Sequence, residues 1–400
     1  MSAEPVPDLP YARPYWDASD AQALLAALDS GMWTGGAAVA EFERVLAELV
    51  GVPTVAVSSG TAAIFALLAG YPRRGAERRL LISPAINFAA GPASAQLLGW
   101  DVALCDVRAE DLTLCPDRLA ELLAVLSGEY QQVVVLAMHY AGHTCDMTTL
   151  SELCRAHGAE LIEDACHAIG GRYSDGTPVG SWPSSRAAFF SFHPTKPLAT
   201  GEGGAVSSTD SELLGAVASF RNHNMAASPA RDDDLAPRPY QISRPGLNLR
   251  LSDLHAAVGV AQAARLPESQ RLRAELAASY HERLAGHDWL RTVPPERRDG
   301  SAHHLFPVVF DLAALRLSKR ELLDAFHGKG VRVQIHYTPL HRLDAFRVPE
   351  RRRSPLPVTD SVFPGLVSLP LWRGMTESDQ DRVLDVVAGL PRLAGRRVFS

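Results

Sequence analysis

Four short stretches carry residue types with specific chemistry, and each stands just past an apolar run. Lys196, in FFSFHPTKPLATGEGGAV (189–206), sits between Pro194 and Pro197 and ahead of three glycines. The prolines bar a regular helix and fix the local backbone. An amine held at a strand end and partly removed from water loses its proton more readily, and the neutral form makes a Schiff base with an aldehyde. Most lysines are only solvated, so Lys196 gains weight from its company. Asp164, in LIEDACHAIGG (161–171), follows a strand-like run, where open α/β sheets place ligand-binding residues. It reads either as a cap for the next element or as a buried anion that keeps a proton on a heteroaromatic nitrogen. His167 is either a packed core histidine or a hydrogen-bonding group on the same ligand.

In VAVSSGTAAIFALLAG (55–70), the turn at Ser59, Gly60 and Thr61 joins a strand to a helix. A helix N-terminus offers unpaired amides and a positive dipole end, and glycine lets the backbone approach an anion closely. The plainer alternative is an ordinary cap by Ser59 or Thr61. There is no GxxxxGK[ST], so a P-loop is not supported. Ser191, five residues before Lys196, can share the same anion. Phe88, in SPAINFAAG (83–91), is either core or the cover of a flat ring. A phosphate cradle, a carboxylate for a ring nitrogen, an amine for an aldehyde and an aromatic for the ring face together describe a site for pyridoxal 5'-phosphate.

Positioning such groups takes a scaffold of strands ending on one side. Strands are expected over Thr54–Val57, Arg79–Ser83, Val133–His139, Glu160–Glu163, Ala187–Phe192 and Ala205–Ser208, with helical spacing over Thr61–Ala69 and Met147–His157. Near-continuous apolar strands alternating with helices imply an α/β layered domain with a mostly parallel central sheet flanked by helices. Beyond about residue 210 the pattern changes to helices over Ser211–His223, Ser252–Leu266 and Glu268–Leu284, the last two separated by Pro267. A smaller C-terminal α+β unit follows, with strands at His304–Phe310 and Val331–His336 and helices at Ser318–Lys329 and Thr376–Leu390, the last capped by Thr376. The expected division is a large domain over 1–245 and a smaller one over 246–400, with Ala226–Pro245 as a mobile loop or crossover between them.

Four hundred residues, 46% of them hydrophobic and 21% charged, with a net charge of -6, describe an ordinary globular chain. Mixed charges give no nucleic-acid footprint, and no apolar run nears the roughly 18 residues of a membrane span. The N-terminal stretch has prolines and acids where a signal peptide needs basic then apolar residues. Cys105, Cys115, Cys145, Cys154 and Cys166 are odd in number and lack a CxxC pair, which argues against a disulfide framework. These features lead to an expected cytoplasmic location. His139, His143 and Asp146 invite a metal reading, but Gly142 and the strand end disfavour a helical ligand pair.

EDACHAIGG, FSFHPTKPLATGEGGAV, RNHNM (221–225) and GLNLRLSDLHAAVGVAQ (246–262) resemble the DegT/StrS family of sugar aminotransferases, which are fold type I pyridoxal-phosphate enzymes. The resemblance runs from MWTGGAAVAEFE (32–43) to IHYTPLH (335–341) and VSLPL (367–371). HPTKPLATGEGG and HYAG (139–142) are most similar to the branch that aminates a UDP-linked 4-keto-6-deoxy-N-acetylhexosamine toward pseudaminic acid. The resemblance implies that Lys196 bonds the cofactor aldehyde, Asp164 partners the pyridine nitrogen, Phe88 stacks on the ring, and Gly60, Thr61 and Ser191 hold the phosphate. It places His167 near the phenolic oxygen, Asn248 at the phosphate of a neighbouring subunit's cofactor in a homodimer, and His336 and Tyr337 near substrate. Its implied partners are glutamate and a nucleotide-linked keto-sugar. Asn87, the AAGPASAQ run (89–96), Leu247 and Leu249 depart from the family pattern, which bears on the sugar accepted. A keto-cyclitol aminotransferase and a non-catalytic cofactor-binding regulator are the competing readings.

Overall fold

A computed structural model describes residues 8–72, 77–226, 240–294 and 300–395. Two helices, α1 (Ala18–Asp29) and α2 (Ala37–Val50), precede the first strand, β1 (Thr54–Val57). Strand and helix then alternate through α3 (Gly60–Gly70), β2 (Arg79–Pro84), α4 (Ala90–Leu97), β3 (Asp101–Cys105), α5 (Pro116–Leu126), β4 (Gln132–Met138), α6 (Met147–Ala156) and β5 (Glu160–Asp164). β6 (Ala187–Ser191), β7 (Gly204–Ser207) and α7 (Ser211–Phe220) complete the layer. The seven strands lie in the order β1-β7-β6-β5-β4-β2-β3. β7 pairs antiparallel with both neighbours and the remaining pairings are parallel.

The six apolar runs expected as strands all form, within a residue at each end, because sheet burial on both faces requires continuous apolar sequence. One face packs on Phe42 and Leu46 of α2 with α5 and α6; the other packs on α3, α4 and α7 through Ile64, Leu67 and Val217. A two-stranded ladder, β8 (Met225–Ala226) and β9 (Gln241–Ile242), then brackets residues 227–239. The loop expected over Ala226–Pro245 therefore falls largely outside the described residues.

α8 (Asp253–Ala264) and α9 (Leu266–Arg283) differ from expectation in one respect. Pro267 does not separate them; it lies in the first turn of α9, where its missing N–H is no loss. The smaller sheet follows, with β10 (Leu290–Thr292) and β11 (Phe306–Phe310), then α10 (Lys319–His327), α11 (Pro357–Val362), β12 (Leu366–Leu369) and α12 (Glu377–Gly395). A capping box from Ser318 and Glu321 starts α10, and the Thr376 hydroxyl accepts from the Asp379 amide at the head of α12.

Two strand expectations are corrected. Val331–His336 forms only isolated bridges, Val331 to Leu9 and Gln334 to Ser368, since its backbone groups are divided between two partners. His304 lies ahead of β11, because the amides of His304 and Leu305 both turn to the Ala141 carbonyl.

Ala256 and Ala263 of α8 belong to the core of the large sheet, whereas Ala277 and Tyr280 of α9 belong to the core that joins Leu9 to β11, β12 and α12. We propose on this packing that the division between the units falls within α9.

Asp253 ties the α8 layer to α2. Gly36 caps α2 without a side chain of its own; the buried Asp253 carboxylate instead accepts from the amides of Gly36, Ala38 and Val39 at 2.8, 3.0 and 3.3 Å. Removing it orphans three donors at a positive helix end. Asp253→Ala is expected to lower folding stability by about 2 kcal/mol, read as a shifted urea midpoint at unchanged slope.

Candidate active site

The parallel strands end on one side of the sheet, and their C-terminal turns enclose a cavity of about 520 Å³. Ser59, Gly60, Thr61, Phe88, Asp164, His167, Ser191, Lys196, His336 and Tyr337 all line it. Asn248 does not; it is exposed, on a segment bridged through Asn222.

The turn after β1 is built for close approach. Ser59 is extended and its hydroxyl accepts from the Ala62 amide at 3.0 Å, leaving the Gly60 and Thr61 amides without an intrahelical partner. A side chain at Gly60 would meet Ser191 Cβ at 2.6 Å, and one at Gly204 would meet the Ser59 carbonyl oxygen at 2.3 Å. The glycines thus bring the head of α3 against the ends of β6 and β7. Two free amides and two hydroxyls at a helix N-terminus suit a phosphate.

β5 delivers two carboxylates with opposite tasks. Glu163 points into the large core, where it accepts from the Gly180 and Trp182 amides at 2.9 and 3.2 Å and contacts His139 Nε2 and the Tyr173 hydroxyl. Burial raises its pKa, but bonds from His139 and Tyr173 outweigh this and hold it below the usual carboxylate range. Asp164, the next residue, faces the cavity and accepts from the Cys166 amide at 3.2 Å. Burial raises its pKa, opposed by the Cys166 bonds and the Lys196 charge. A carboxylate so desolvated favours a cationic partner.

Lys196 lies on the β6–β7 connection. Its amide donates to the His193 carbonyl at 2.9 Å, while the Thr200 amide returns to Phe192 and the Phe192 amide to Gly203. The loop is pinned at its neck, and Lys196 Nζ lies 3.5 Å from His304 Nε2. Burial lowers the Lys196 pKa, against the raising influence of Cys166 and Asp164.

The opposite wall comes from residues distant in sequence. His167 Nδ1 accepts from the Ala141 amide at 3.2 Å, so the ring proton resides on Nε2 and is donated to the Tyr337 hydroxyl at 2.8 Å. Both nitrogens are engaged, and His167 fixes Tyr337. His336 Nδ1 lies 2.9 Å from the Ser368 hydroxyl, and its carbonyl accepts from Tyr140. Phe88, 56% exposed, sits at the mouth with its ring 5.7 Å from that of Tyr337. An aromatic this open beside a polar cavity suits stacking on a flat ligand.

Sequence reasoning missed His304, Tyr11 and Gln334, which also line the cavity. Only the His303–His304 pair before an apolar run hinted at the first of these. The residues of the metal reading are engaged elsewhere. His139 serves Glu163 and the Cys145 amide, Asp146 caps α6, and no group of metal-holding side chains occurs among the described residues.

The groups present fit pyridoxal phosphate: a helix head for phosphate, Asp164 for a ring nitrogen, an amine of lowered basicity for the aldehyde. Such a set at the strand ends of an α/β sheet is what a pyridoxal-phosphate-dependent enzyme requires. The chain belongs to the DegT/DnrJ/EryC1/StrS aminotransferase family, which it matches over residues 14–388. It is 29% identical over 379 residues to a UDP-4-amino-4,6-dideoxy-N-acetyl-beta-L-altrosamine transaminase of Campylobacter jejuni, covering 94% of this chain and 96% of that one. Among solved structures, PseC of Helicobacter pylori, an aminotransferase involved in the biosynthesis of pseudoaminic acid, superposes with TM-score 0.87 at 25% identity, covering 96% and 99% of the two chains. DesI, solved with its TDP-sugar product, gives 0.85 at 27% identity, covering 100% of this chain and 96% of that one.

The buried imidazoles make stability pH-dependent. Burial and the Lys196 charge push His336 down to about 3, and burial also holds His167 and His304 well below the ordinary range. Below pH of about 6.5 the unfolded chain takes up protons that the folded chain refuses, so stability is full above that value and falls with pH toward about 3. The expected loss is about 2 kcal/mol for one imidazole between pH of about 6.5 and 5. The thermal midpoint should decline over this range, and less steeply in His336→Gln; equal slopes would contradict the assignment.

Proposed function

We propose that the protein moves an amino group from glutamate to the keto group of a nucleotide-linked keto-deoxy sugar, with a UDP-linked 4-keto-6-deoxy-N-acetylhexosamine as the acceptor. The observation that carries this reading is the convergence of Lys196, Asp164 and the head of α3 on one cavity. The named relatives support the acceptor: one is a transaminase of a UDP-linked dideoxy-N-acetyl sugar, another belongs to pseudoaminic acid biosynthesis.

When bound, pyridoxal phosphate supplies an aldehyde that carries the amino group and a ring that draws off the electron pair. Gly60, Thr61, Ser59 and Ser191 would hold the phosphate. Asp164 would keep the ring nitrogen protonated, and Phe88 would cover the ring face. Lys196 would hold the cofactor aldehyde and, as a free amine, would be placed to take up and return the proton of the donor α-carbon. Its lowered basicity helps here, since only the neutral amine bonds the aldehyde or takes the proton. His167 orients Tyr337, and Tyr337 and His336 line the path to the sugar.

The site is also proposed to be shared in a homodimer, with Asn248 reaching the partner's cofactor phosphate. Its exposure outside its own cavity supports this, as do exposed Trp16, Leu25, Met32, Trp33 and Leu247. No described helix is long and apolar enough to cross a membrane. Five free cysteines favour a reducing, cytoplasmic setting.

Lys196→Ala is expected to abolish both the visible absorbance of the lysine-linked cofactor and glutamate-dependent turnover. Retention of either contradicts the role. The amino form of the enzyme, mixed with UDP- and TDP-linked keto-sugars and a keto-cyclitol, should lose its absorbance fastest with the UDP-linked 4-keto-6-deoxy-N-acetylhexosamine. A faster cyclitol would overturn the acceptor, and a cofactor spectrum indifferent to glutamate would indicate a regulator.

A further inference from the structure

His304 enters the cavity from the C-terminal side and brings Nε2 to 3.5 Å from Lys196 Nζ. Its ring lies edge-on to His167 at 4.5 Å. Among the described residues its Nδ1 is buried without a hydrogen-bond partner. An unpaired buried polar atom costs about 1–3 kcal/mol, so packing alone gives no reason for an imidazole here.

The backbone that carries this ring is clamped from both units of the chain. The His304 and Leu305 amides donate to the Ala141 carbonyl at 2.9 and 3.2 Å, and the Ala302 amide donates to Gly142 at 3.1 Å. Gly142 has φ +102°, and a Cβ there would lie 2.9 Å from the His303 nitrogen, so the close seat needs glycine. From the other side, Arg273 of α9 donates to the carbonyls of His303 and His304, both at 3.4 Å, and of Leu371 at 3.0 Å. Such rigidity suits a side chain that must meet a moving partner in one place.

We propose that His304 is a positioning residue for Lys196: with its proton on Nδ1, its Nε2 accepts a hydrogen bond from the lysine amine whenever that amine is not joined to the cofactor, keeping it aimed for recapture. The proposal rests on the role given to Lys196 above. Burial first, and then the Lys196 and Arg273 charges, oppose protonation of His304, which preserves its acceptor lone pair. His167 and His336 also face it, and burial keeps both of them neutral.

The test uses the full-length chain stripped of cofactor and compares two ligands. Pyridoxal phosphate is captured covalently by Lys196; pyridoxamine phosphate has the same ring and phosphate but no aldehyde. In His304→Phe, covalent capture should slow about tenfold, the equivalent of one hydrogen bond to a charged or reacting amine. Affinity for pyridoxamine phosphate should not change. His304→Gln, whose amide oxygen can accept, should recover most of the rate, and His304→Leu serves the comparison if the phenylalanine variant is unfolded. Unchanged capture, or parallel loss of both ligands, would overturn the proposal. Capture that persists in Lys196→Ala would instead overturn the assignment of the lysine, and this proposal with it.

Discussion

An ammonium and a carboxylate share one poorly solvated cavity in this protein, and the rest of the structure is arranged around that pairing. Burial pushes Lys196 and Asp164 each toward neutrality, and each charge opposes the shift of the other. Without the carboxylate the lysine would be shifted further down, and without the cation the carboxylate would be shifted further up. The sheet makes the pairing possible by ending β5 at Asp164 and β6 at Ser191, neighbouring parallel strands whose next turns open on the same side.

The buried imidazoles and the phenol that face that cavity are kept uncharged. His167, His304 and His336 are buried imidazoles of depressed basicity, and Tyr337 is a phenol whose ionisation is pushed well up by burial. They supply hydrogen-bonding directions without adding a third charge to the field. The Glu163 cluster has the complementary role, on the opposite face of the same strand. Its carboxylate is saturated by Gly180, Trp182, His139 and Tyr173, and the His139 amide donates to the Asp164 carbonyl at 3.1 Å. The strand end that carries Asp164 is thus fixed from behind by groups that never enter the cavity. Removing a partner from such a buried anion is more disruptive than its surface counterpart would be.

Much of this was legible in the chain because the large sheet leaves a local signature. TVAV, QVVVLAM and AAFFS are continuous apolar runs, and the residues just past them had a forced location once the strands were assigned. The same logic fails where partners are distant. Asp253 is by position a first-turn acid of α8, and its bonds to Gly36, Ala38 and Val39 depend on how two helices meet. His304 looked like the first residue of a strand, and its amide leaves the ladder only because the Ala141 carbonyl competes for it. Val331–His336 has strand composition, yet its pairing is split between Leu9 and Ser368. Composition reports burial and says nothing about which neighbour supplies the hydrogen bonds.

The split between a sheet-built floor and a roof drawn from the C-terminal unit has a physical consequence. Gly60, Asp164, Ser191 and Lys196 belong to turns of one sheet, so their spacing is set by strand geometry and varies little. His304, Gln334, His336 and Tyr337 reach the cavity through a unit with its own core, anchored by Leu305 and Leu366 packing against Ile86, Met138 and Tyr140. Across that seam the His304 and Leu305 amides bond the Ala141 carbonyl, Tyr140 bonds the His336 carbonyl and His167 bonds Tyr337, so the roof is tied to the floor. The amine and the carboxylate are thus carried by the sheet itself, while the imidazoles and the phenol opposite them are supplied from the far side of the seam, His167 excepted. The distribution of residues in this chain follows that division, with the amine and carboxylate below and His336 and Tyr337 above.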